Sequence, residues 1–243
     1  MKVPIILYTH SDCSFVWKAT IGLLEKYASK FTIYWVCDTL GETQVPSTWN
    51  VRFYDSKEPW SFRLLPTLKE ITEDYVIYLQ EDWLLINDLC EDRIEMLAHF
   101  MKAKSCEFLV SYPCPTMDKY YTEVTPSFEI GSILFFKRPF HNMQPAIWKK
   151  SLLEEICALP IKISEYESDK VTSITCQRNC FGVKSKYYPT YYSVSSPLFP
   201  HIHAVCGGNW TFLKYPTLKV ILELLGVDTT TRDINTTFFL DFQ

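Results

Sequence analysis

The feature that most constrains this chain is the stretch from Asp74 to Leu85, Asp-Tyr-Val-Ile-Tyr-Leu-Gln-Glu-Asp-Trp-Leu-Leu. Within it, Tyr75 to Leu79 is an unbroken β-branched, aromatic and aliphatic run, too short for a buried helix and suited to a strand. A strand without polar alternation is covered on both faces, as a central strand of a parallel α/β sheet is. Two adjacent carboxylates, Glu81 and Asp82, follow at once, with the bulky Trp83 beside them. In open α/β sheets, ligands bind in the crevice beyond the carboxyl ends of the strands. Carboxylates there are placed to hold a hard divalent cation and, through it, phosphate oxygens. The same two acids would equally serve to open a solvated loop or the first turn of a helix.

The preceding residues repeat this strand-then-polar arrangement. Val3 to Tyr8 reads as a first strand and runs into Thr9-His10-Ser11-Asp12-Cys13-Ser14, with a helix from Phe15 to Tyr27. Phe31 to Val36 reads as a second strand closed by Cys37-Asp38, and Val51 to Tyr54 as a third, with Asp55-Ser56 past its end. Pro59 to Arg63 leads into a helix through Leu64 to Ile71. Strand, helix, strand, helix, strand is a doubly wound α/β opening with parallel strands. Four polar clusters, Thr9 to Asp12, Asp38, Asp55-Ser56 and Glu81-Asp82, therefore fall on one edge.

Farther on, Glu91 to Lys104 has the apolar spacing of an amphipathic helix, and Phe108 to Ser111 and Ser132 to Phe136 read as strands. Gln144-Pro145-Ala146-Ile147-Trp148 precedes a helix expected over Lys149 to Ala158, and Ile163 to Asp169 opens another. Leu218 to Leu225 reads as a helix stopped by Gly226, with a frayed tail after it. There is no internal repeat and no low-complexity linker, so one continuous domain is the economical expectation.

With 243 residues, 47% of them apolar and 21% charged, the chain can bury a full core with an ordinary globular composition. A net charge of -4 argues against a nucleic-acid or anionic-membrane binder, which relies on a basic surface. No apolar run approaches the length of a membrane span, and Met1 to Leu7 is too short an apolar segment for a secretion signal. The nine cysteines are odd in number and scattered, and His201 and His203 lack zinc-finger spacing to Cys176 and Cys180. That pattern reads as reduced thiols in a cytoplasmic protein.

Glu81-Asp82-Trp83, placed after its apolar strand, resembles the acidic metal motif of glycosyltransferases of the GT-A fold, with Trp83 where a second carboxylate would stand. Gln144-Pro145-Ala146-Ile147-Trp148, then a Leu-rich helix, then Glu165-Tyr166-Glu167, is similar to a succession in small GT-A transferases of bacterial and large-DNA-virus polysaccharide clusters. Ser164 stands where that succession has an aromatic. The resemblance spans residues 1 to about 210 and implies an α/β fold of GT-A type, Rossmann-like with a mixed central sheet. It implies a single domain over 1–243, with a nucleotide-binding half (1–88), an acceptor-binding half (89–226) and a tail (227–243).

The activity so implied is transfer of a sugar from a nucleotide-diphosphate donor, UDP being the commonest, to a hydroxyl of a glycan or glycoconjugate, in the cytoplasm of a bacterium or a virus-infected cell. Asp82 and His203 would hold Mn²⁺ or Mg²⁺, and the metal would neutralise charge on the departing phosphate. Thr9, His10, Ser11, Asp12, Asp55, Glu81 and Asp82 would contact the nucleotide, and Arg63 its phosphates. Gln144 and Trp148 would shape the sugar or acceptor pocket. A Glu base, Glu167 first and then Glu165, with Asp169 behind them, would make the enzyme inverting. Each residue has a plainer alternative: helix capping for Thr9 to Asp12, a surface ion pair for Arg63, a strand residue for His203, core packing for Trp148, and a solvated helix start for the three acids.

Two rival functions are a nucleotidyltransferase and a non-catalytic binding or assembly protein on the same scaffold. The absence of glycine from Thr9 to Ser14 argues against the first, and Trp83 in the acidic motif favours the second. A cysteine-nucleophile enzyme is the remote third, since no cysteine stands in an electropositive loop.

Overall fold

Strand β1 (Ile5–Tyr8) and strand β4 (Tyr75–Gln80) lie side by side and parallel, in a register running from Ile5 opposite Ile77 to Tyr8 opposite Gln80. The computed structural model describes residues 1–110, 128–130, 133–137, 145–159, 180–185, 200–206, 208–213 and 215–234. On the other side of β1 come β2 (Ile33–Cys37) and then β3 (Asn50–Phe53) at the sheet edge, both parallel to it. Helix α1 (Ser14–Tyr27) joins β1 to β2, and α2 (Trp60–Glu70) joins β3 to β4.

Beyond β4 the chain forms β5 (Trp83–Leu85), α3 (Glu91–Ala103), β6 (Phe108–Val110), β7 (Phe128–Ile130) and β8 (Ile133–Lys137). Then follow β9 (Ala146–Lys149), α4 (Lys150–Cys157), β10 (Cys180–Ser185), β11 (His201–His203), β12 (Val205–Cys206), β13 (Asn209–Trp210) and α5 (Pro216–Leu224). The main sheet has the order β3-β2-β1-β4-β9-β6-β10-β8-β7. It is mixed, because β9 runs antiparallel to both of its neighbours, β4 and β6.

Strand β9 departs from the sequence reading, which runs Gln144 to Trp148 straight into a helix. Ala146, Ile147 and Trp148 are fully buried in the middle of the sheet, and α4 begins at the next residue but one. A four-residue strand abutting a helix without a loop leaves no turn signal to read.

The sheet's two faces are covered separately, and the period of two decides which residue goes where. Leu7, Trp35, Ile77, Leu79 and Ile147 face the core built with α1, α3 and α5. Ile6, Val36, Val76, Tyr78, Phe108 and Trp148 face the core built with α2 and α4. Burial on both faces accounts for the unbroken apolar run of β4.

The segment after α5 is not frayed as far as residue 234. Val227 and Thr229 are buried, the Trp210 N–H donates to the Asp233 carbonyl at 2.8 Å, and Ile234 makes a β-bridge with Trp210. Gly226 turns the chain off α5 with φ 71°, and the Lys18 ammonium donates to its carbonyl at 3.2 Å. A Cβ on Gly226 would lie 2.6 Å from Lys18 Nζ. Gly226→Ala is therefore expected to lower the unfolding free energy by about 1–2 kcal/mol, read as a reduced urea midpoint at unchanged m-value. Among the described residues no helix is long and apolar enough to cross a membrane.

Candidate functional site

The four parallel strands β3, β2, β1 and β4 deliver their polar tips to one edge. After β1, His10 caps a single 3₁₀ turn over Ser11–Cys13, its Nδ1 accepting from the Asp12 N–H at 3.2 Å. Ser11 donates twice to Asp38 at the tip of β2, from its N–H at 2.8 Å and its hydroxyl at 2.7 Å, and His10 Nε2 lies 3.6 Å from the same carboxylate. Burial works against the Asp38 charge, but the Ser11 hydrogen bonds and the nearby His10 outweigh it and hold the carboxyl below its usual range. His10 thus caps the turn, and Ser11 ties it to the tip of β2. Asp55, exposed past β3, accepts from the Lys57 N–H at 2.9 Å in a local turn.

Two of the residues expected to touch the nucleotide are occupied otherwise. Thr9 is buried: its hydroxyl accepts from the Trp17 indole at 2.6 Å and hydrogen-bonds to Glu81, and its carbonyl accepts from the Tyr54 hydroxyl at 2.7 Å. These bonds fix the start of the loop after β1. Arg63 donates to the Ser56 carbonyl at 2.7 Å, the Glu58 carbonyl at 2.9 Å and the Tyr8 hydroxyl at 3.1 Å, and lies 5.1 Å over the Tyr54 ring. These contacts tie three of its five N–H donors to the loop after β3 and to the end of β1.

The turn after β4 leads into β5, not into a helix. β5 pairs antiparallel with β11 in a register that sets Trp83 opposite His203 and Leu85 opposite His201. The Ala204 N–H donates to the Asp82 carbonyl at 2.7 Å, continuing the ladder. This register brings His203, 121 residues away in the chain, to Asp82: Nε2 to Oδ2 is 3.0 Å. The second oxygen, Asp82 Oδ1, is buried without a hydrogen-bond partner. A carboxylate oxygen withdrawn from water with no donor to it costs stability and is a place for a cation.

Glu81 is 8% exposed and forms the floor beside Asp82. Desolvation above all, and then the Asp82 charge, raise its carboxyl well above the usual range, against the hydrogen bonds from Cys13 and Thr9. Burial raises the Cys13 thiol strongly too, with Glu81 adding to it. Cys13 is accordingly a protonated thiol, which argues against a cysteine nucleophile here.

A cleft of about 290 Å³ opens in front of these groups, lined by Asp12, Cys13, Phe15, Val16, Glu81, Asp82, Val205, Gly208 and Arg232. Arg232 comes from the segment after α5: its guanidinium lies 4.7 Å over the Phe15 ring and donates to the Asp12 carbonyl at 3.2 Å. Sequence reasoning missed Arg232, which stands in a stretch taken for a loose tail. It also left Asp38 and Cys13 out of the candidate set, although Asp38 closes β2 just as Glu81-Asp82 close β4. Trp148 is corrected in the opposite direction: it is fully buried in the core between sheet and α4, 4.4 Å from Phe108, with no face to offer a sugar. Gln144, Glu165, Glu167 and Asp169 lie outside the described residues.

Among the described residues no group of three or more His, Cys, Asp or Glu converges as a complete metal ligand set. Asp82 and His203 supply one oxygen and one nitrogen donor, and the unpartnered Oδ1 adds a further lone-pair site. This donor set fits a divalent ion whose remaining positions come from a bound diphosphate, the usual arrangement for Mg²⁺ and Mn²⁺ at phosphate sites.

No family model matches the chain, and no curated protein matches it. Among solved structures, the glycosyltransferase GlyE of Streptococcus pneumoniae TIGR4 superposes with a TM-score of 0.55 and 10% identity, covering 95% of this chain. The fold is of the GT-A type. The chain spans 62% of the GlyE chain. Staphylococcus aureus TarS in complex with UDP-GlcNAc aligns at a TM-score of 0.48 and 12% identity, over 98% of this chain and 69% of that one. A cytidylyltransferase from Leptospira borgpetersenii aligns at 0.48 and 17%, over 97% of this chain and 99% of its own.

Proposed function

We propose that this GT-A protein is a glycosyltransferase that moves a sugar from a nucleotide-diphosphate donor, a UDP-sugar first, to a hydroxyl of a glycan or glycoconjugate. The observation that carries the reading is Asp82: one oxygen meets His203, the other is buried with no donor, and both stand beside the cleft at the tips of the parallel strands. The loop His10 to Asp12, with Asp38 behind it, receives the nucleoside. Arg232, held against Phe15 at the cleft wall, faces the diphosphate. Glu81 keeps the floor closed to water and holds the Cys13 and Thr9 hydrogen bonds in place.

A Mn²⁺ or Mg²⁺ ion held by Asp82 and His203 would neutralise the charge that builds on the leaving diphosphate. The acceptor hydroxyl loses its proton as it attacks, and Glu167 is the base assigned to take it, with Glu165 as the alternate. In-line attack with such a base inverts the anomeric centre. The two halves, 1–88 for donor and 89–226 for acceptor, belong to the same proposal, with the correction that the segment up to 234 serves the donor side.

The test is incubation with a panel of nucleotide sugars and divalent ions, following nucleoside diphosphate release, on the wild type and on Glu167→Gln. Steady release from one donor, with Glu167→Gln binding UDP normally but transferring on the order of 10³-fold more slowly, is the expected result. Thermal stabilisation by the nucleotide without any release would instead make the protein a binding module, for which Trp83 in the acidic motif is the supporting feature. Pyrophosphate release from a nucleoside triphosphate and a sugar phosphate would make it a nucleotidyltransferase.

A further inference from the structure

Trp83 is the residue of the acidic turn that the reading above leaves without work. Its ring stacks on the imidazole of His203, with centroids 4.1 Å apart and planes 7° from parallel. His201 closes against it edge-on at 5.0 Å and 74°. The pairing of β5 with β11 makes this stack a direct cross-strand pair, and such aromatic pairs on one sheet face reinforce each other. The backbone under His203 is pinned as well: its carbonyl accepts from the Thr211 hydroxyl at 2.6 Å. Among the described residues the only polar side-chain partner of the imidazole is Asp82, so ring stacking, not a second hydrogen bond, sets its plane.

We propose that Trp83 is a positioning residue that holds the His203 imidazole edge-on to Asp82, so that a cation there meets an imidazole nitrogen beside the carboxylate. The inference rests on the donor-site reading above. A histidine ligand usually has its ring orientation fixed by a hydrogen bond on the other nitrogen. Here the indole does that work while adding no charge. Mg²⁺ holds to an octahedron of oxygens, so an imidazole donor is felt more by Mg²⁺ than by Mn²⁺.

The experiment is Mn²⁺ binding in the presence of UDP, followed by electron paramagnetic resonance on wild type, Trp83→Phe, Trp83→Leu and His203→Ala. Spin-echo modulation reports whether a histidine nitrogen touches the ion. Wild type and Trp83→Phe are expected to bind Mn²⁺ with nitrogen modulation, and His203→Ala to lose that modulation. Trp83→Leu keeps an apolar side chain but no ring. It is expected to bind Mn²⁺ about ten- to a hundred-fold more weakly, with the modulation reduced, and to yield the ion to Mg²⁺ at a correspondingly smaller excess. Wild-type affinity, modulation and Mg²⁺ competition in Trp83→Leu would overturn the inference and leave the donor site standing. Absence of Mn²⁺ binding by the wild type with UDP would overturn the donor-site reading itself. Circular dichroism of each variant confirms that the sheet is intact, and Trp83→Phe restores the stack where Trp83→Leu removes it.

Discussion

Asp82→Asn is expected to lower kcat/KM for the nucleotide-sugar donor on the order of 10³-fold while leaving the protein as stable as the wild type, or more so. The side chain keeps its shape and its place opposite His203 but loses the charge that a cation needs. The stability half of the expectation comes from the surroundings. Oδ1 is buried with no donor to it, so the carboxylate contributes nothing there that an amide would lose. The Asp82 charge also helps to hold the Glu81 carboxyl above its usual range.

Below the ordinary carboxylate range, Glu81 is protonated folded or unfolded and contributes no difference. Above it, the unfolded chain ionises Glu81 while the folded chain still keeps the proton, so stability falls until the raised folded value is passed. With Asp82 neutral that window narrows, and Asp82→Asn should show a flatter decline of unfolding free energy from acid to neutral pH. Urea unfolding at several pH values and donor turnover, measured on the same preparations, check both halves. Unchanged turnover would remove Asp82 from the chemistry, and a large loss of stability would make it a structural acid.

How much of this was legible in the sequence depends on which physical signal each element carries. The parallel half was open to reading because β1, β2 and β4 are buried on both faces and each ends in polar residues, a pattern made by composition alone. The meeting of Asp82 with His203 was readable only as an implication of resemblance. It depends on the β5–β11 register, which no local propensity specifies. Thr9 was hard to read for a related reason: a polar residue at a strand tip looks the same whether its hydrogen bonds go to ligand or to protein, and here Trp17, Tyr54 and Glu81 claim them. Arg232 was hidden because what orders it, the pairing of Trp210 with Asp233 and Ile234, joins segments that carry no periodic pattern.

Trp148 shows the limit of motif reading most sharply, and Trp148→Ala is expected to cost about 3–5 kcal/mol of unfolding free energy. The ring is fully buried on the α2–α4 side of the sheet, packed with Phe108, Tyr78 and Leu152 among others, on a strand hydrogen-bonded on both sides. Truncation there removes one of the two tryptophans of that core and leaves a cavity that two flanking strands and a helix cannot close. Trp148→Phe, which keeps an aromatic ring of smaller volume, should recover most of the loss. A residue of the sugar pocket would behave otherwise: truncation would raise the KM for donor or acceptor severalfold and barely move the unfolding midpoint. Chemical denaturation alongside UDP titration of the folded fraction separates the two. The expectation is a large fall in stability with UDP affinity unchanged in the protein that remains folded, since the ring lies behind the sheet and the cleft lies at its edge. A KM effect at wild-type stability would return Trp148 to the pocket and require this strand to open toward the substrate.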